Sequence, residues 1–232
     1  LTGNEVGLLL GWRAAREATA GGGADASASL ACSLVSSPGL RVIAEHYGLD
    51  AHETLTGFKW ISRAPGLVFG FEEALGYLVN PATVRDKDGI SAAIAILRRV
   101  TSARADGRTL ADELTEMGAL FGHFASGQIS VRVDDLGVIA RTMDALRADV
   151  PDDLGGVEIT ETEDLLHAPE GQPSGDVLRY TLADGSRVIV RPSGTEPKLK
   201  VYLDVRGDSA ADASTRLESL ESACRALLAA RS

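Results

Sequence analysis

The chain has 232 residues, 44% of them hydrophobic and 24% charged, with a formal net charge of -10. That length holds one large domain or two ordinary ones, each with a real apolar core. The acidic surplus argues against sequence-independent nucleic-acid binding, which needs clustered cations to release counterions, although one basic loop can still hold a small anion. No run approaches the roughly 18 consecutive apolar residues of a membrane span, and no charged-then-apolar leader opens the chain. No membrane partner is therefore expected, and a cytoplasmic protein is. Cys32 and Cys224 lie far apart without metal-ligand spacing and are read as buried, reduced thiols. The opening "LTGNEVGLLLGW" carries no initiating Met, which suggests a fragment.

Residues 4–18, "NEVGLLLGWRAAREA", place apolar side chains at helical spacing behind a polar cap, and "TAGGGADASAS" then reads as a flexible connection. "LACSLVSS" (30–37) is short, apolar and bounded by Ser and Pro, as a buried strand is. "PGLRVIAEHYGL" (38–49) predicts a helix with Leu40, Ile43, Ala44 and Tyr47 on one face. "PGLVFGFEEALG" (65–76) is an apolar run ending in an acidic pair. "DGISAAIAILRRVTSA" (88–103) predicts a helix whose inward stripe is Ile90, Ala93, Ile94, Leu97 and Val100. Thr109 caps a further helix, with Leu110, Leu114, Met117 and Leu120 inward. Strand signals alternating with helical ones over residues 1–126 predict a layered α/β domain.

From residue 127 the character changes. "ISVRV" (129–133) alternates as a strand and "GVIARTMDALRA" (137–148) as a helix. "LRYTLADGSRVIVR" (178–191) is a hairpin turning at Asp184-Gly185, a pair that tolerates positive φ. "KVYLDV" (200–205) is a further strand. The closing "ASTRLESLESACRALLAA" carries Leu217, Leu220, Cys224, Leu227 and Leu228 on one helical stripe. Residues 127–232 thus predict an α+β domain, an antiparallel sheet with helices on one face, and the boundary falls near 125–128.

The most informative stretch is "VIVRPSGTEPKLKVYLDV" (188–205), two strands around a cationic, hydroxyl-rich loop. Arg191 offers a planar fork of donors that matches phosphate oxygens, and Ser193 and Thr195 add hydroxyls. Gly194 is expected to let the backbone turn so that successive N–H groups converge on an anion. Pro192 and Pro197 stiffen both shoulders, and Lys198 and Lys200 add point charges. A phosphate is the expected ligand; an ordinary hairpin loop is the alternative.

"RPSGTEPKLKVYLDV" resembles the phosphate-binding loop in the last domain of the α-D-phosphohexomutase superfamily, the phosphoglucomutases, phosphomannomutases and phosphopentomutases. "FGFEEALGYLVNPATVRDKDGISAA" (69–93) resembles the sugar-binding loop of that family's third domain, with "GFKWI" (57–61) and "RDKDG" (85–89) at family-like separations. The resemblance covers essentially the whole chain but only the last two of four domains: an α/β/α sugar-binding domain with a mixed sheet over 1–126 and the α+β phosphate-binding domain over 127–232. It implies sugar contacts from Glu72, with Glu73 beside it, and from Lys59. It implies a phosphate grip by Arg191, Ser193, Gly194, Thr195 and Lys200, and places Lys87 near the transferred phosphoryl group. Ala74 falls where many members have a sugar-contacting serine, and the "EEALGY" form is closer to the phosphopentomutase branch.

Members of the family work through a phosphoserine and a magnesium-binding Asp-Gly-Asp loop. Neither a Ser-His-Asn-Pro string nor an Asp-Gly-Asp string occurs in these 232 residues. The resemblance therefore implies an isomerase of carbohydrate metabolism that needs Mg2+ and a sugar bisphosphate activator, whose N-terminal domains are this chain's partners and whose substrate is a phosphorylated sugar. The chain alone is expected to be inactive and to hold no metal itself. A phosphopentomutase and a stand-alone phosphosugar-binding module are the alternatives. His46, His52, His123 and His167 show no metal spacing and are read as structural or solvent-facing.

Overall fold

In the computed structural model, which describes residues 1–20, 27–168 and 174–231, the first helix, α1 (Gly3–Thr19), begins at a capping box. Thr2 Oγ1 accepts from the Glu5 N–H, and the Glu5 carboxylate accepts from the Thr2 N–H. The glycine-rich residues 21–26 of the expected connection lie outside the described residues. Gly3, Gly7 and Gly11 fall on one face of α1, where a Cβ would overlap the Glu73 carbonyl, the Phe71 ring and the Leu40 side chain respectively. The missing Cβ atoms let α1 lie directly on the sheet.

The chain divides into two compact units, Leu1–Gly122 and His123–Ser232. The first continues through β1 (Ser29–Ser33), α2 (Gly39–His46), β2 (Asp50–Thr54), α3 (Phe58–Ile61), β3 (Leu67–Glu72), β4 (Gly76–Leu78), α4 (Gly89–Ala105) and α5 (Leu110–Phe121). The strand order is β2-β1-β3-β4. β1 runs parallel to both β2 and β3, and β4 is antiparallel to β3. β1 is buried on both faces: Leu30 and Cys32 join the core under α1 and α2, and Ala31 meets Phe58, Ile61 and Leu78 on the face covered by α3. This is an α/β/α layered unit with a mixed sheet. β1 ends at Ser33, before the expected Ser37, because Leu34 to Ser37 form the turn into α2. β2 left no signal in the sequence because "DAHET" is an edge strand without an apolar face.

Two packing faces differ from the expected ones. On α4 the buried residues are Ala92, Ala95, Arg99 and Ala103, whereas Ile90 (77% exposed), Ile94 (49%) and Leu97 (62%) face outward. The cause is Arg99, which is only 8% exposed. Its Nε donates to Glu113 Oε2 of α5 at 2.8 Å, and its guanidinium lies 5.4 Å from the centroid of the Trp12 ring. A paired cation on an aromatic face, flanked by alanines, brings α4 closer to its neighbours than a row of isoleucines could. On α5, which the Thr109–Asp112 capping box opens as expected, Leu120 is exposed. Phe121 takes the inward place, edge-on to Trp12 and His46.

The second unit contains β5 (His123–Arg132), α6 (Leu136–Ala148), β6 (Asp153–Leu154), β7 (Val157–Asp164), β8 (Leu178–Leu182), β9 (Arg187–Pro192), β10 (Lys198–Gly207) and α7 (Ala210–Arg231). Residues 123–126, assigned above to the first domain, are the start of β5 and pair with β10 down to His123↔Gly207. The sheet order is β5-β10-β9-β8-β7-β6, antiparallel throughout. Met143 and Leu146 of α6 and Leu220, Cys224 and Leu228 of α7 pack with Ile129, Tyr180, Val188 and Leu203 in one core. On the other face Asp204 Oδ1 accepts from the Ser126 hydroxyl (2.7 Å) and its Oδ2 from Arg187 Nη2 (2.8 Å). Asp184-Gly185 closes the β8–β9 hairpin, with Gly185 at φ 81. Among the described residues no helix is long and apolar enough to cross a membrane.

Candidate functional site

In the first unit the predicted residues gather at the carboxyl ends of the parallel strands, where open α/β sheets hold their ligands. Glu72 is the last residue of β3, and its Oε1 accepts from the Gly57 N–H at 2.6 Å. Gly57 adopts φ 114, a conformation open to glycine, and so aims its N–H at the carboxylate as the chain enters α3. Phe58 follows. A Cβ on Gly76 would come within 2.7 Å of the Phe58 ring and 3.5 Å of Lys87 Cδ. Lys87 Nζ lies 5.6 Å from the Phe58 centroid and 3.3 Å from Asp86 Oδ1. Glu72, Gly57, Phe58, Gly76 and Lys87 therefore form one cluster, with Lys59 exposed on α3 beside it and its Nζ 5.2 Å from the Trp60 centroid.

Glu73 parts company with Glu72. Its carboxylate lies 3.4 Å from Ser33 Oγ and 3.3 Å from Ser36 Oγ, and its N–H donates to Ser36 Oγ at 3.1 Å. Burial pushes its carboxyl above the ordinary value. Two adjacent acids thus occupy different environments, and the sequence carried no sign of that. The signal, visible only in retrospect, is Ser33 and Ser36, three residues apart in "ACSLVSS".

In the second unit the loop between β9 and β10 is closed by Ser193 N–H donating to Lys198 O (2.8 Å) and Lys198 N–H donating to Glu196 O (2.8 Å). Arg191 and Lys200 are direct cross-strand partners. Ser193 lies at the loop's shoulder, and Gly194 and Thr195 are exposed at its tip. Gly194 is not among the glycines with positive φ, and a Cβ there would meet nothing within 4 Å. Space around the tip, not backbone strain, is what glycine contributes. The register also adds a cation that the sequence reading passed over: Arg132, at the end of β5, pairs with Lys198. Glu196 sits among these charges. The hydrogen bond from Lys198 Nζ (2.8 Å), the Lys198 charge, and those of Arg132 and Lys200 hold its carboxyl below the ordinary value.

Among the described residues no group of three or more His, Cys, Asp or Glu side chains is placed to hold a metal ion. His46 packs against Tyr47 and Phe121.

A layered α/β/α unit with a carboxylate–glycine–lysine cluster, followed by an antiparallel unit with a cationic loop, is a two-domain arrangement with known counterparts. The family model "Phosphoglucomutase/phosphomannomutase, alpha/beta/alpha domain III" matches residues 2–132, and "Phosphoglucomutase/phosphomannomutase, C-terminal domain" matches residues 86–221. The chain belongs to the phosphoglucomutase/phosphomannomutase family. It is 49% identical over 228 residues to the Haemophilus influenzae protein named "Probable phosphomannomutase", covering 98% of this chain and 45% of that protein. It is 32% identical to the Homo sapiens phosphopentomutase, covering 88% of this chain and 38% of that one. The chain therefore spans less than half the length of these relatives. Its fold matches the crystal structure of the Paramecium phosphoglucomutase pp63/parafusin in its open form, with a TM-score of 0.73 at 19% identity, over 98% of this chain and 41% of that one.

Proposed function

We propose that this chain supplies the sugar- and phosphate-recognising domains of a phosphosugar mutase, a phosphomannomutase or phosphoglucomutase that interconverts sugar 1-phosphates and 6-phosphates. The observation that carries the reading is that both motif regions sit on the matching domains of one family, at 49% identity to a protein named for this activity. Glu72 accepts hydrogen bonds from sugar hydroxyls with the carboxylate oxygen that Gly57 leaves over, and Lys59 adds a donor. Arg191 grips the phosphate that is not being transferred, with Ser193, Thr195, Lys200 and the backbone at Gly194 supplying further donors. Lys87 lends positive charge where the transferred phosphoryl group gains negative charge.

The reaction has two balanced halves. A phosphoryl group passes from a serine oxygen to a sugar hydroxyl, which gives up its proton and leaves a sugar bisphosphate. The other phosphoryl group then returns to the serine oxygen as the released sugar oxygen takes up a proton. The nucleophile and the magnesium loop belong to sequence strings that these 232 residues do not contain. The chain by itself is accordingly expected to bind phosphosugars weakly and not to isomerise them.

A pentose phosphate is the second reading, favoured by exposed Ala74 in place of a sugar-contacting serine and by the phosphopentomutase relatives. The test joins the chain to phosphoserine-bearing and magnesium-binding domains of the family. Mannose, glucose and ribose 1-phosphates are then supplied with Mg2+ and a sugar bisphosphate. Isomerisation of a hexose phosphate supports the first reading and isomerisation of ribose phosphate alone the second; turnover of none defeats both.

A further inference from the structure

We propose that Glu73, held by Ser33 and Ser36, is the positioning residue that sets where Glu72 presents its carboxylate. The inference rests on the reading of Glu72 as the sugar-contacting residue and concerns what holds it there.

The hold is double. One hydroxyl, Ser36 Oγ, accepts from the Glu73 N–H (3.1 Å) and lies 3.3 Å from the Glu73 carboxylate, so backbone and side chain of the same residue are tied to one atom. Ser33 Oγ is 2.7 Å from Ser36 Oγ and 3.4 Å from the same Glu73 oxygen, which closes a triangle of three oxygens. Both serine hydroxyls donate to the one carboxyl oxygen, and burial raises the pKa of this group above its ordinary value.

The triangle is anchored to the fold on every side. Ser33 is the last residue of β1, and both serines are fully buried. The turn that carries Ser36 is bound to α1, because the Ser37 N–H donates to Asn4 Oδ1 at 2.9 Å. The Glu73 carbonyl occupies the space left by the absent side chain of Gly3, and the Tyr77 hydroxyl donates to the Gly3 carbonyl at 3.0 Å. Between Glu73 and β4 the loop turns through Leu75 at φ 63, the one non-glycine residue with positive φ among those described. A left-handed leucine persists only where its surroundings over-determine the backbone. The latch on Glu73 and the entry into β4 are the two ends that do so.

Burying a carboxyl in this place costs stability that an apolar side chain would not. What the chain obtains is a fixed backbone at the residue next to Glu72, whose own oxygen must stay within reach of the Gly57 N–H while the other meets ligand. A loop free to shift by about 1 Å would lose much of that complementarity.

The experiment uses the 232-residue chain and its variants Glu73→Ala, Glu73→Gln and Ser36→Ala. Amide hydrogen exchange over residues 72–76 reads the latch, and calorimetric titration with mannose 1-phosphate and with inorganic phosphate reads the site. Glu73→Ala and Ser36→Ala should speed exchange in the loop and weaken mannose 1-phosphate binding roughly tenfold, leaving the inorganic phosphate affinity unchanged. Glu73→Gln should restore both, since its amide oxygen can accept from the two serine hydroxyls as the carboxyl oxygen does. A general loss of structure would lower both affinities together and would not be rescued by glutamine. Loop exchange in folded Ser36→Ala or Glu73→Ala equal to that of the wild type overturns the latch. Wild-type protein that ignores mannose 1-phosphate overturns the sugar-site reading, whatever the exchange shows.

Discussion

Arg191 and Lys200 face each other across β9 and β10, and the chemistry proposed for them differs in kind. Arginine can bind a phosphate through two parallel N–H groups; lysine contributes a point charge. Hydrogen bonds to charged groups contribute about 1.5–3 kcal/mol each, so Arg191→Ala should weaken inorganic phosphate binding roughly tenfold to a hundredfold. Arg191→Lys should recover only part of that, and Arg132→Ala should cost less than Arg191→Ala, all by calorimetric titration. Equal affinity in Arg191→Ala removes this residue from the site. Glu73 allows a separate test, on stability. Its folded-state pKa lies above the ordinary 4.5, so in the window above 4.5 the unfolded chain binds fewer protons than the folded one. The stability tied to Glu73 is present below that value and is lost as pH rises through the raised one. Denaturant titrations should therefore show Glu73→Gln gaining on the wild type between pH 4 and pH 7, and a constant difference would contradict the assignment.

At the scale of elements, α1 and α4 show how close approach overrides apolar periodicity. α1 reaches the sheet through three glycines, so Gly7→Ala should cost about 1–3 kcal/mol by driving a methyl into the Phe71 ring, although alanine favours helices. Leu97 of α4 faces outward, and Leu97→Lys should change stability by no more than about 0.5 kcal/mol. Had the periodic stripe of α4 been its buried face, removing that leucine would cost about 2–5 kcal/mol. Urea titrations of the two variants measure both. The edge strand β2 and the largely exposed strand β7 were not legible in the sequence for a related reason: with polar residues on their exposed sides they lack the alternation that marks a half-buried strand.

For the molecule as a whole, each of the two units has its own hydrophobic core. Residues 123–232, produced alone, should unfold as one cooperative transition. Within that unit Asp204→Ala leaves Arg187 buried without its counter-charge and should cost about 3–5 kcal/mol in the same measurement. Cys224 provides an internal reporter. Burial pushes its thiol up to about 12, so alkylation near neutral pH should be slow and should follow unfolding of this unit. Rapid labelling of the folded protein would place Cys224 outside the core.

The sequence by itself determined the α/β/α and α+β pairing, the hairpin at Asp184-Gly185, the stripe of α7 and the two motif regions. These depend on local spacing, turn chemistry and strings of residue types, which are properties of neighbours along the chain. Tertiary structure alone decided which face of α4 is buried, that β5 begins at His123, that Arg132 stands beside the cationic loop, and that Glu72 and Glu73 part into two environments. Each of these depends on a partner far away in sequence: Glu113 and Trp12 for Arg99, β10 for β5, and Ser33 and Ser36 for Glu73. A pair energy between distant residues exists only once the fold has brought them together.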